Sequence, residues 1–163
     1  MTKRPTSLTG AAGEHYVAFV FSFLGYPVAL TRGGSPTIDL MVGDLKGGSA
    51  ISIQVKTSTN AWRKRVRKPE DSHWEWDVNP KKALELRGDS IFYAFVDLRE
   101  DGSDVIQYPG IFIVPSEQVA KRAVADGFEK HPEWSKFMFW IYEHEKTLYY
   151  ESWELITSKL AGC

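Results

Sequence analysis

The apolar and polar positions of this chain alternate between helical and strand periods. After a loose start over residues 1–7, Thr9 can cap a helix running to about Leu24, with Gly25 ending it. Every residue from 16 to 24 except Ser22 is apolar, which predicts a largely buried helix. Residues 27–31 form a short apolar run that reads as a strand, and Arg32 opens a Gly-rich loop, Gly33-Gly34-Ser35-Pro36. A hairpin follows. Residues 37–42 and 50–57 alternate, with a polar, Gly-rich turn over 43–48. Ile38, Leu40 and Val42 share one face of the first strand, and Ile51, Ile53 and Val55 share one face of the second. Opposed residues of an antiparallel pair point to the same side, so the two apolar rows fix the register to within two-residue slips. The most compact choice pairs Val42 with Ile51, Leu40 with Ile53 and Ile38 with Val55. Asp39 then lies opposite Gln54, and Thr37 opposite Lys56, on the other face.

Beyond the hairpin, residues 59–73 are polar and basic and read as an exposed loop, and 74–78 as a short strand. Asn79 caps a second helix with Pro80 at its first position and Gly88 just past its end. Residues 90–98 are almost unbroken in apolar character, which suits a central strand. A strand over 110–114, a helix capped by Ser116 through about Asp126, a strand over 137–142 and a closing helix over 149–160 complete the reading. The core order is helix, three strands, helix, strand.

With 163 residues, one domain is expected, its core at about 8–98 and peripheral strands and helices over 99–163. A chain 43% hydrophobic and 25% charged can bury a real core, which excludes a disordered protein. No apolar run reaches the ~20 residues of a membrane span, and Met1-Thr2-Lys3-Arg4-Pro5 lacks the apolar stretch of a signal peptide. The one cysteine, Cys163, allows no internal disulfide, so a cytoplasmic setting is the expectation. The formal net charge of −1 decides nothing about partners, but its distribution does. Residues 1–68 hold ten Lys/Arg against three Asp/Glu, and residues 69–163 hold ten against eighteen. The basic half can face a polyanion while the acidic half lies away from it.

Several polar positions break the apolar logic around them. Glu14 sits near the start of a helix that otherwise seeks burial, behind the small residues Gly10, Ala11, Ala12 and Gly13, which let another backbone or a ligand come close. Asp39 and Gln54 face each other across the hairpin, and Lys56 follows Gln54 on the same side. Two carboxylates, an amide oxygen and an ammonium that converge suit a hard cation, Mg²⁺ or Mn²⁺, with a lysine placed to orient its water or to steady charge on a phosphate. Taken singly, Glu14 reads as a first-turn helix acid, and the other three as solvent-face strand residues.

Together, Glu14, Ile38-Asp39 and Gln54-Val55-Lys56 on this order of elements resemble the PD-(D/E)xK nuclease superfamily. The stretch Leu8-Thr9-Gly10-Ala11-Ala12-Gly13-Glu14, with Arg32-Gly33-Gly34-Ser35 ahead of Asp39, looks most like its Holliday-junction-resolvase and restriction-endonuclease-like branch. The resemblance implies an α/β, restriction-endonuclease-like core with a mixed central sheet and C-terminal additions. It implies metal held by Asp39, Gln54, the carbonyl of Val55 and Glu14, with Lys56 as the catalytic lysine. The implied activity is that of a Mg²⁺-dependent endodeoxyribonuclease acting on DNA, with branched or structured DNA one of the targets left open by the sequence. By analogy with the family, cutting both strands makes a homodimer plausible. Two departures stand out: Ile38 replaces the usual proline, and Gln54 replaces the usual acid, removing one negative charge from the site.

The run Trp62-Arg63-Lys64-Arg65-Val66-Arg67-Lys68 holds five basic residues in seven. It reads either as a loop gripping the phosphate backbone, with Trp62 stacked on a base and Arg32 assisting, or as a solvated charge run. The aromatics from Trp134 to Trp153 read as core or interface. Two competing functions remain open on sequence: a catalytically weak nuclease-like fold that binds nucleic acid, and an interaction protein built on the acidic, aromatic C-terminal third.

Overall fold

The computed structural model describes residues 5–31, 37–101, 106–125 and 131–161. In chain order the elements are α1 (Thr6–Phe23), β1 (Val28–Leu30), β2 (Leu40–Gly43), β3 (Ala50–Ser58), β4 (Trp62–Arg63), β5 (His73–Val78), α2 (Pro80–Glu85), β6 (Ile91–Asp97), β7 (Gly110–Pro115), α3 (Ser116–Ala123), β8 (Phe137–Tyr142), α4 (Lys146–Tyr149) and α5 (Glu154–Ala161). Five strands make the main sheet in the order β1-β2-β3-β6-β7, and three make a second sheet, β4-β5-β8. β3 and β6 run parallel, because α2 carries the chain back between them; the other pairs of the main sheet are antiparallel. The mixed sheet is as expected, and so is the hairpin register, with Val42 opposite Ile51 and Leu40 opposite Ile53.

The apolar run of β6 has a simple cause. Phe92, Ala94 and Val96 point into a core under α1 and α5, while Tyr93 and Phe95 point into a second core. That second core is closed by α3 and the smaller sheet, through Trp74, Trp76 and Phe139. A strand buried on both faces has no polar positions to offer. In β3 the division is different. Ile51, Ile53 and Val55 enter the first core, and Gln54 and Lys56 point to the side covered by the second sheet.

Several expectations change. The first helix begins at Thr6 with Pro5 before it, and no side chain caps it. It is not largely buried: Val17, Val20 and Phe21 are, whereas Phe19, Phe23 and Leu24 face solvent. One side of a helix is all that a sheet can cover, however apolar the rest. The strand expected from Thr37 begins only at Leu40, so the pairings of Ile38 with Val55 and Thr37 with Lys56 are not part of the ladder. The basic loop also opens as the strand β4, paired to β5. The expected closing helix is two, α4 and α5, broken where Glu151 adopts a left-handed backbone with φ of 51°.

Candidate active site

The site begins at Asp39, just ahead of β2. The ladder with β3 ends at Leu40–Ile53, and the Asp39 side chain takes up the next β3 amide: the Val55 N–H donates to Asp39 Oδ2 at 2.6 Å. Gln54 Nε2 donates to the same Oδ2, and to the Val55 carbonyl at 3.3 Å. Asp39, Gln54 and Val55 are thus one hydrogen-bonded unit across the hairpin. Thr31 steadies its outer side, its hydroxyl donating to the Ile38 and Asp39 carbonyls at 2.6 and 3.1 Å.

Lys56 points to the same side as Gln54 and lines a cleft of about 250 Å³ walled also by Ser58, Arg63, Glu75, Asp77 and Met138. Burial lowers its pKa, opposed by the Asp39 carboxylate and reinforced by the charge of Lys82. Burial likewise raises the pKa of Asp39, against the Val55 N–H and the charges of Lys56 and Lys82. Glu14 arrives from α1, on the opposite face of the sheet. Its pKa is raised first by burial and then by repulsion from Asp39, with His15 opposing. The common cause on all three groups is desolvation, which disfavours the charged form of each.

The approach of α1 to β3 is set by Gly13. A Cβ there would lie 1.9 Å from Thr57 Oγ1, a buried hydroxyl with no hydrogen-bond partner. Gly13 therefore admits the β3 strand itself, whereas a Cβ at Gly10 would meet only Glu14.

Two neighbours of the site were not read from sequence. Lys82, in the first turn of α2, acts electrostatically on both Asp39 and Lys56. Its helix is held by the Asn79 cap, whose Oδ1 accepts the Lys82 N–H at 3.0 Å. Tyr93 lies in register with Gln54 on β6, and burial, then the Asp39 charge, push its hydroxyl up to about 12. The Asn-Pro start of α2 was legible, but nothing local says that it docks beside Asp39.

The basic run divides. Trp62 packs on Trp74, ring centroids 4.3 Å apart and planes tilted by 46°, and stays half-buried. Arg63 pairs with Glu75 at 2.6 Å and also donates to the Asn60 and Trp62 carbonyls. Its charge is therefore matched within the protein. Lys64, Arg65, Arg67 and Lys68 are exposed, with Lys68 3.9 Å from Asp71. Arg32 lies outside the described residues.

The Asp39 and Glu14 carboxylates and the Val55 carbonyl are oxygen donors of the kind a hard divalent cation takes. Fitting one also requires the Gln54 carboxamide to turn over, since its nitrogen faces Asp39 and the Val55 carbonyl. Among the described residues no group of three or more His, Cys, Asp or Glu gathers, so the carboxylates here number two.

No protein-family model matches this sequence, and no curated protein does. Solved structures do. The bacterial homing endonuclease I-Ssp6803I superposes over 97% of this chain and 96% of its own, with a TM-score of 0.53 at 18% identity. The Holliday junction resolvase Hjc of the hyperthermophile Archaeoglobus fulgidus superposes over 91% of this chain and 95% of its own, with a TM-score of 0.50 at 13% identity. Element order, mixed sheet and these two likenesses agree: the chain has a restriction-endonuclease-like fold.

Proposed function

We propose that this protein is a divalent-cation-dependent endonuclease that hydrolyses phosphodiester bonds in DNA. The observation that carries the reading is the hydrogen-bonded unit of Asp39, Gln54 and Val55 at the open end of the hairpin, with Lys56 beside it in a desolvated cleft. Asp39, Glu14, the Val55 carbonyl and, once turned, the Gln54 amide oxygen would hold Mg²⁺ or Mn²⁺. Such an ion lowers the pKa of its water and draws off negative charge from the phosphate. Lys56, held at a lowered pKa, is suited to exchange a proton with the attacking water or to stand against the phosphate oxygens. Lys82 adds positive charge on the same side. Lys64, Arg65, Arg67 and Lys68 would meet the backbone of the nucleic acid. The likeness to a homing endonuclease and a junction resolvase, which act on DNA, supports DNA as substrate, and a cytoplasmic setting accords with that chemistry.

The test is cleavage of supercoiled plasmid with Mg²⁺ or Mn²⁺ by the wild type, Asp39→Ala and Lys56→Ala. Loss of about 10²-fold or more in each variant is expected. Equal cleavage by all three would remove the reading. A second reading rests on Gln54: with a neutral side chain in the place of an acid, the fold could bind DNA without cutting it. It predicts salt-sensitive DNA affinity that needs no cation, and cleavage dependent on Asp39 would dismiss it.

A further inference from the structure

Asp39 lies on a kink in the backbone. In an antiparallel ladder the N–H and the C=O of one residue point to the same edge of their strand. At Asp39 they part. Its N–H donates to the Ile53 carbonyl on β3 at 3.0 Å, and its carbonyl accepts the Thr31 N–H at 2.9 Å, on the β1 side. Leu40 is also paired with Ile53, so two residues stand opposite one, which is the arrangement of a β-bulge. The carbonyls break the alternation as well. Those of successive residues in an extended strand face opposite edges, yet the Ile38 and Asp39 carbonyls both accept from the Thr31 hydroxyl, at 2.6 and 3.1 Å. A bulge re-aims the side chain it carries. Here it turns the Asp39 carboxylate toward β3, with Oδ2 on the Val55 N–H at 2.6 Å.

We infer that Thr31 is a positioning residue for the cation site: it holds Asp39 in the bulge, so that the carboxylate stays on Val55. The role of the cation rests on the catalytic reading above, but the clasp stands without it. Leu30 is the last paired residue of β1, so Thr31 makes its contacts to residues 38 and 39 past the end of the ladder. Its side chain is half-buried, and its one hydroxyl hydrogen lies between two carbonyls that valine, of the same shape, could not serve. Asp39 has only two side-chain torsions, so the direction of its Cα–Cβ bond decides where the carboxylate can reach. If the bulge relaxes into regular strand, that direction returns to the alternation of the ladder and Oδ2 leaves the Val55 N–H. A group that orients a metal ligand in this way is typically worth about 10–100-fold in metal affinity or activity.

Thr31→Val removes the hydroxyl and keeps the shape, and Thr31→Ser keeps the hydroxyl. Hydrogen exchange at the Val55 amide, on the full chain without metal, follows the Asp39 contact directly. Measured against the Ile51 amide, inside the ladder, Val55 should exchange about 5-fold faster in Thr31→Val, the effect of losing about one hydrogen bond. Thr31→Ser should match the wild type. Calorimetric titration with Mn²⁺, without DNA, should give a Kd raised about 10–100-fold in Thr31→Val and nearly unchanged in Thr31→Ser. On plasmid, kcat should fall by a similar factor while the KM for DNA holds, because other elements carry the contacts to the nucleic acid. Ala29→Gly weakens β1 without touching the clasp, and serves as the control for stability alone. It should lower Tm and leave both the relative exchange of Val55 and the Mn²⁺ affinity in place. A Val55 amide as well protected in Thr31→Val as in the wild type overturns the inference. So does Mn²⁺ binding that Thr31→Val leaves intact, or that Ala29→Gly weakens as much. A wild type that takes up no Mn²⁺ defeats the catalytic reading alone, and the exchange rates then decide for or against the clasp by themselves.

Discussion

Two glycines of α1, three residues apart, should respond to alanine with opposite signs. Alanine favours a helix interior over glycine by about 1 kcal/mol. At Gly10 that gain is free, because a Cβ would meet only Glu14 Oε1, at 4.0 Å. At Gly13 the Cβ would lie 1.9 Å from Thr57 Oγ1 and 3.0 Å from Thr57 Cβ and Cγ2. Rotating Thr57 moves the hydroxyl and the methyl but not its Cβ, so the helix must also retreat from β3. Overpacking of this kind costs about 1–3 kcal/mol, which outweighs the helical gain over most of that range. A domain of this size shifts in Tm by about 2–4 °C per kcal/mol. Thermal unfolding should therefore place Gly10→Ala about 2–4 °C above the wild type and Gly13→Ala below it by up to about 8 °C. Thr57→Ala tests the cause. It removes the two movable atoms, and since Oγ1 is buried without a partner the hydroxyl itself is little loss. The double variant Gly13→Ala/Thr57→Ala should recover most of the deficit, giving a favourable coupling in a double-mutant cycle. If Gly13→Ala is as stable as Gly10→Ala, α1 does not sit on β3 as described, and Glu14 loses its placement beside Asp39.

Glu14 should leave a mark on pH dependence. Its folded pKa is raised above the ordinary 4.5, so the stability it contributes is complete below that value and is lost as pH rises through the raised one. Glu14→Gln should thus gain in Tm relative to the wild type between pH 4 and pH 7, and a flat or falling difference would contradict the burial argument. A cation held at Asp39 stabilises the fold by mass action. Mn²⁺ at a hundred times its Kd should raise Tm by about 5–10 °C, and Asp39→Asn should abolish the rise. For DNA affinity, replacing Lys64, Arg65, Arg67 and Lys68 together by alanine should flatten log K against log salt, by about 0.9 for each phosphate no longer neutralised. Arg63→Ala, removing a cation already matched by Glu75, should leave that slope unchanged.

What the sequence could convey follows from the range of the interactions involved. The β2–β3 register was legible because period-two alternation admits few pairings that put both apolar rows on one side, and the side-chain hydrogen bond between Asp39 and Gln54 just beyond the ladder came with it. The parallel β3–β6 pair was implied by a helix between two apolar strands. The smaller sheet was not legible. β5 finds its partner β8 some sixty residues away, and neither strand carries a mark naming the other. That one pairing decides the fate of the basic run, because β4 adds to the same sheet, Trp62 is drawn onto Trp74, and Arg63 is brought to Glu75. Lys82 was invisible for a similar reason: its helix is announced by Asn79 and Pro80, but its nearness to Asp39 is a product of docking. The outer face of α1 misled in a more useful way. A continuous apolar run is evidence that the residues must be covered, and the expectation that the same chain covers them is an added assumption. The fold covers one side and leaves Phe19 and Phe23 in water, because the sheet can cover only the side of the helix that faces it.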